Sequence, residues 1–149
     1  MTEPTMTGRI DGKTFVWPVR IYYEDTDLAG VVYHANYLRY MERARTEYFR
    51  AIELVAAYPD DPEPAFWVLR KASLEFIRPA KFNDLIEVRT TVVALSGVRL
   101  DADQTIWCGS VQLTAGRIQA CIISLSGKPK RIPLEIRDKI LPLVCETVT

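Results

Sequence analysis

Histidine is almost missing from this chain: His34 is the only one in 149 residues. A single imidazole excludes an HExxH zinc centre and any other site with two histidine ligands from one chain. Cysteine is scarce too. Cys108, Cys121 and Cys145 are odd in number and widely spaced, with no CxxC, which argues against a structural zinc or a redox dithiol and for reduced thiols. No apolar run reaches the roughly 18 residues of a membrane-spanning helix, and MTEPTMTGRIDG lacks the apolar stretch of a signal peptide. A cytoplasmic protein with no integral membrane segment, metal or cofactor is the expectation.

Excess charge of one sign is also lacking. Nineteen Lys+Arg balance nineteen Asp+Glu, which excludes a general nucleic-acid binder. The zero conceals a split: residues 1–64 hold seven basic and eleven acidic side chains, residues 65–149 twelve and eight. Hydrophobic residues at 48% and charged residues at 26% describe an ordinary globular chain with material for a sizeable core.

Residues 1–12 read as a flexible N-terminal arm and residues 13–149 as one domain. FVWPVRIYY (15–23) is aromatic and β-branched, hence a strand, with Pro18 requiring an edge or an outward-facing nitrogen. In 35–52, Tyr37, Met41, Ala44 and Tyr48 recur at helical spacing, flanked by Leu38, Phe49 and Ile52. YPDDPEP (58–64) is a loop. Strands follow at 65–78, 85–95, 98–107 and 111–125, the last with a candidate bulge at Ala115-Gly116. Residues 133–143 read as a short helix opened by Pro133. One long helix followed by long strands predicts an α+β fold, an antiparallel sheet with the helix on one face.

Two polar clusters could carry chemistry. Glu24, Asp25 and Asp27 lie in one tetrapeptide, too close for all to be desolvated as anions. Asp25 and Asp27 suit an Asx-turn; alternatively, one carboxylate serves as base or nucleophile. His34 opens the helix, where unpaired N–H groups make a positive pole suited to an oxygen gaining charge. By itself it also suits a plain helix-start residue. The second cluster, SGKPKR (126–131), places Lys128, Lys130 and Arg131 on a turn. Such a turn could hold phosphates or merely be a solvated charged turn. No Walker motif is present.

The run VRIYYEDTDLAGVVYHANYLRYMERARTEYFR (19–50) resembles the signature region of the 4-hydroxybenzoyl-CoA thioesterase family, and within it the Tol-Pal-associated acyl-CoA thioesterases. SLEFIRPAKFNDLIEVRT (73–90) and GKPKRIP (127–133) continue the likeness. The resemblance implies a hotdog fold, a curved antiparallel sheet wrapped around one long helix. It implies hydrolysis of acyl-CoA by Asp27 as nucleophile or general base, with the His34 N–H as oxyanion donor and the His34 side chain as a further participant. Tyr33 and Asn36 would line the pocket, and Lys128, Lys130 and Arg131 would meet the CoA phosphates. Arg78 would share that surface or support the fold. Trp67, Trp107 and Phe66 are expected in the core rather than in an acyl pocket. A homodimer or dimer of dimers with sites between subunits is implied. Acyl carrier protein or phospholipid-synthesis enzymes are possible partners. An acyl-carrier-protein thioesterase and a non-catalytic acyl-CoA sensor are the competing functions.

Overall fold

The computed structural model describes residues 7–54 and 64–146. Strands β1 (Arg9–Asp11) and β2 (Thr14–Arg20) form a hairpin whose turn uses Gly12 at φ +64°, a conformation glycine adopts freely. Helix α1 (His34–Ala51) follows, then β3 (Ala65–Phe76), β4 (Leu85–Leu95), β5 (Arg99–Cys108), β6 (Val111–Ser124), β7 (Pro129–Lys130) and α2 (Leu134–Ile140). All strand pairs are antiparallel, in the order β1-β2-β4-β5-β6-β3, with β7 added to β6. The expected α+β arrangement is therefore observed.

Several boundaries differ from expectation. Arg9–Asp11, placed by the sequence in a loose arm, is strand β1; residues 1–6 lie outside the described residues, as does the expected loop 58–64 except for Pro64. Residues 21–23 leave β2, because Asp84 and Asn83 engage the Ile21 backbone instead. Pro18 sits beyond the reach of β1, where β2 is itself the edge and needs no donor. The expected bulge at Ala115-Gly116 is absent, and β6 pairs there without interruption. The irregularity falls one turn earlier, where Ile106 faces Thr114 and Trp107 faces Gln112. The extra residue, Leu113, is buried, and its carbonyl accepts the N–H groups of Ile77 and Arg78.

α1 covers one face of the sheet with Tyr37, Tyr40, Met41, Ala44 and Tyr48, all buried. Tyr40 takes the place the sequence assigned to Leu38, which is exposed. Phe15, Ile86, Val88, Val92, Leu100, Ala102, Ile106 and Ile118 complete the core from the sheet. Gly116 lies against the end of the Met41 side chain of α1. A Cβ there would meet Met41 Cε at 2.8 Å and the Gln104 carbonyl at 2.9 Å. Gln104, fully buried, donates to the Met41 carbonyl and Thr90 Oγ1 at 2.9 Å each and accepts from Arg45 at 2.8 Å. That network docks the middle of α1 on β5, and burial lowers the proton affinity of the Arg45 guanidinium.

Trp67 reaches the core and stacks on Phe49 with ring centroids 5.3 Å apart. Trp107 does not: it lies on the opposite face beneath Arg89, 4.5 Å from the guanidinium carbon, because its register opposite Glu87 turns it away from α1. Phe66 shares that outer face by register with Ile123 and is half-buried.

The Tyr48 hydroxyl is buried without a hydrogen-bond partner among the described residues, next to the rings of Phe15 and Phe49. An unsatisfied buried hydroxyl costs free energy. Tyr48→Phe should therefore be neutral or stabilise the chain by up to about 1 kcal/mol, measured by urea unfolding.

Candidate active site

The loop joining β2 to α1 is a small hairpin. Thr26 bridges Val32, the Asp27 N–H donates to the Val31 carbonyl at 2.9 Å, and the Gly30 N–H returns to the Asp27 carbonyl at 3.0 Å. Gly30, at φ +79°, closes the turn, and Leu28 stands fully exposed at its tip. Asp27 sits at the neck. Its Oδ1 accepts the Ala29 N–H at 2.8 Å, the Asx-turn foreseen as its structural role. Its Oδ2 accepts no hydrogen bond among the described residues, and the side chain is exposed. One carboxylate oxygen thus fixes the turn while the other remains open to a reactant.

Asp25 has a different task. Its Oδ2 accepts the Tyr22 N–H at 2.7 Å. Its carbonyl accepts the Tyr33 N–H at 3.0 Å and Asn36 Nδ2 at 3.1 Å. Asn36, expected to line a pocket, spends its amide bracing this loop and is half-buried. Burial, reinforced by the Asp25 carboxylate, pushes the Tyr40 phenol well above its ordinary range. The two aspartates of the DTD element are therefore divided into one that organises and one with an open oxygen.

α1 begins without a side-chain cap, since Tyr33 at the N-cap makes no such bond. The N–H groups of Tyr33 and Asn36 are used by Asp25 and Tyr33 carbonyls. Those of His34 and Ala35 meet no acceptor among the described residues, leaving an anion-seeking pole at the helix start. The strand of the hairpin carrying Asp27 runs beside the segment that enters this pole. The exposed His34 ring lies 4.4 Å from the Tyr33 ring and edge-on to Phe76 at 6.4 Å. Tyr33 is 48% exposed, so it remains available to line a groove.

The basic turn lies elsewhere. Phe76, beside His34, pairs with Thr114 at the start of β6, whereas Lys128 and Lys130 follow the end of β6 at Ser124. Ten residues of strand separate the two ends, roughly 33 Å at about 3.3 Å per residue. Arg131 lies against Gly97 in the β4–β5 turn, its Nη2 within 2.7 Å of where a Cβ would stand. Within one chain, Asp27 and His34 share the short loop and the helix start it leads into, whereas Lys128 and Lys130 follow the other end of β6 and Arg131 lies at the β4–β5 turn. Exposed Arg78 sits at the Asp27 end, its N–H on the Leu113 carbonyl.

Sequence reasoning missed the third wall of this site. The Val32 N–H donates to the Ala80 carbonyl at 2.9 Å, Val31 bridges Lys81, and the Ala80 N–H donates to the Tyr37 hydroxyl at 3.0 Å. Ala80 is 43 residues from Tyr37, and no local pattern announces so distant a pairing. Among the described residues no group of His, Cys, Asp and Glu could hold a metal ion, and no helix is long and apolar enough to cross a membrane.

A single long helix laid on an antiparallel sheet is the arrangement of the hotdog class. A probable thioesterase from Bartonella henselae superposes with a TM-score of 0.76 at 35% identity, covering 80% of this chain and 98% of its own. The sequence profile of the thioesterase superfamily matches residues 29–115, and the chain belongs to that family of hydrolases. It is 39% identical over 124 residues to the acyl-CoA thioester hydrolase YbgC of Escherichia coli, covering 82% of this chain and 92% of the relative. It is also 34% identical to the acyl-CoA thioesterase YbgC of Haemophilus influenzae, covering 83% and 91%.

Proposed function

We propose that this chain hydrolyses acyl-CoA thioesters, with Asp27 and the helix start as the working groups. The observation that supports the reading is an Asp27 Oδ2 without a hydrogen bond among the described residues, on the same short loop that leads into unpaired N–H groups at His34 and Ala35. A thioester carbonyl placed between them would receive attack on carbon, from Asp27 or from water that Asp27 deprotonates. Charge would develop on an oxygen facing the His34 N–H. Collapse breaks the C–S bond, and the CoA sulfur leaves and takes up a proton; the direct route then hydrolyses an acyl-aspartyl anhydride. Release of CoA thiol across a panel of short, long and aromatic acyl-CoAs, followed with a thiol-reactive dye, tests this reading. No turnover on any member would overturn it.

A second copy completes the site in this proposal. β3 is the terminal strand of the sheet, and its outer edge pairs with nothing among the described residues. Leu69, Phe76 and Ile77 along or beside it are exposed. An edge this long invites pairing with another chain. Antiparallel pairing of two β3 edges sets the Phe76 end of one copy against the Ala65 end of the other. The Ala65 end is where Ser124 and the basic turn lie. Lys128, Lys130 and Arg131 would then meet the CoA phosphates bound at the partner's Asp27, joining the acidic and basic halves of the sequence across subunits. The same basic turn also suits the acidic surface of an acyl carrier protein, so matched acyl-CoA and carrier-protein substrates should be compared. A cytosolic homo-oligomer acting in lipid metabolism is the setting this reading implies.

Mixing two defective chains checks the arrangement. A triple Ala variant at Lys128, Lys130 and Arg131 should raise KM for acyl-CoA about tenfold, equivalent to about 1.4 kcal/mol. After co-refolding with Asp27→Asn chains, half of the sites in mixed dimers regain both elements, and low-KM turnover returns. Absence of complementation would place the basic turn outside the partner's site.

A further inference from the structure

We propose that Tyr37 is a positioning residue for this chemistry: its hydroxyl, by capping the Ala80 N–H, holds the Asp27 loop and the start of α1 in one register. The inference rests on the reading that Asp27 and the His34 N–H act on the same carbonyl, and it adds a residue that touches neither substrate nor reacting atoms.

The hairpin carrying Asp27 is poorly supported from within. Leu28, Ala29 and Gly30 are exposed, and of its residues 26–32 only Val32 is buried. A seven-residue excursion of this kind is readily displaced unless something outside fixes it. The outside support is the segment at Ala80–Lys81, which lies along the second arm of the hairpin as a third strand would. Its Ala80 carbonyl receives the Val32 N–H at 2.9 Å, and Lys81 bridges Val31. Val31 in turn accepts the Asp27 N–H. The position of Asp27 is thus referenced to Ala80.

The helix start is referenced to the same residue. Tyr37 is one turn into α1, three residues after His34, and is buried. Its ring is wedged between Tyr40, at 6.2 Å, and Phe76, at 5.5 Å. From there its hydroxyl accepts the Ala80 N–H at 3.0 Å. Ala80 is fully buried, so without that acceptor its N–H is left unpaired away from water, a costly state the backbone moves to avoid. One residue therefore couples the two halves of the proposed site, its N–H tied to the helix and its C=O to the acid loop. The far end is tied as well, since Asp84 Oδ2 accepts the Lys81 N–H at 2.9 Å and the Asp84 carbonyl accepts that of Ile21. A phenylalanine would fill the same space and pack on the same rings, so the hydroxyl serves this bond rather than the core. Burial raises the proton affinity of the phenol, with the Ala80 bond opposing, so it stays neutral.

The test compares wild type, Tyr37→Phe, Tyr48→Phe and the core variant Ile106→Val. Tyr48 is a second buried tyrosine on the same helix, away from the loop; Ile106→Val is a control that lowers Tm without touching the loop. Tyr37→Phe should lower kcat about 10- to 100-fold, because misplacement by about 1 Å is costly in a two-part site. KM should stay within about twofold, since groups that bind substrate are unchanged. Hydrogen exchange at the Ala80 amide, followed by NMR, should accelerate in Tyr37→Phe alone. Full kcat in Tyr37→Phe, with wild type active and Asp27→Asn inactive, overturns the inference and leaves the thioesterase reading standing. A kcat loss matched by Ile106→Val at equal Tm also overturns it, reducing Tyr37 to general stability. A wild-type chain without turnover on the acyl-CoA panel overturns both.

Discussion

Replacing Asp27 with Asn is expected to abolish acyl-CoA turnover while leaving the folded chain and its Tm unchanged. The substitution is close to isosteric, and an Asn carbonyl oxygen can accept the Ala29 N–H as Asp27 Oδ1 does at 2.8 Å. Asparagine is equally at home in an Asx-turn, so the hairpin and the Gly30 turn should persist. What disappears is the negative charge and the open Oδ2, the atom that would attack carbon or take a proton from water. Loss of a general base costs about 10²- to 10⁴-fold, and loss of a nucleophile at least as much. The check is a matched pair of measurements, thermal melting and thiol release. Turnover near the wild-type rate would remove Asp27 from the chemistry, and a collapsed Tm would show that its turn, not its charge, was being tested.

A second large effect is expected in the core beneath the helix. Gly116→Val should destabilise the chain by about 3 kcal/mol, lowering Tm by about 6–12 °C in a domain of this size. Gly116 faces α1 in the middle of β6, opposite both Gln104 and Leu74. Even a Cβ would stand 2.8 Å from Met41 Cε and 2.9 Å from the Gln104 carbonyl. The methionine end can swing aside, but the carbonyl belongs to a ladder. Relief must come from lifting the helix, and a lifted helix loses the Gln104 bonds to Met41 and Arg45. Gly116→Ala should lie between wild type and the valine variant. An alanine chain as stable as wild type would show that the close helix approach is dispensable.

Much of this architecture could be read from local pattern. The helix was legible because Tyr37, Met41, Ala44 and Tyr48 repeat every three or four residues, and the long strands because Pro79 ends one run, Asp84 precedes the next and a turn at Gly109 joins two more. Asp27 and the helix start could be put forward together as a candidate site because both lie on one short stretch of chain. The failures share a cause: each depended on a partner distant in sequence. Leu113 rather than Gly116 carries the bulge because Ile77 and Arg78 draw on its carbonyl. Trp107 faces outward because of its register with Glu87. The distance between the basic turn and Asp27 follows from strand directions that no motif encodes.

The position of β3 has a consequence for how the chain is made. β3 is synthesised before β4, β5 and β6, yet its only strand partner among the described residues is β6: Phe76 waits for Thr114 and Ala65 for Ser124. β4, β5 and β6 join their successors through short turns, so that meander can zip as soon as it leaves the ribosome. Long-range pairings form late because loop closure precedes any gain from contact. During synthesis, the apolar face of α1 and the whole of β3 must therefore remain without their sheet until most of the chain has emerged. Adding a late-docking strand last makes that interval the stage most open to misassembly.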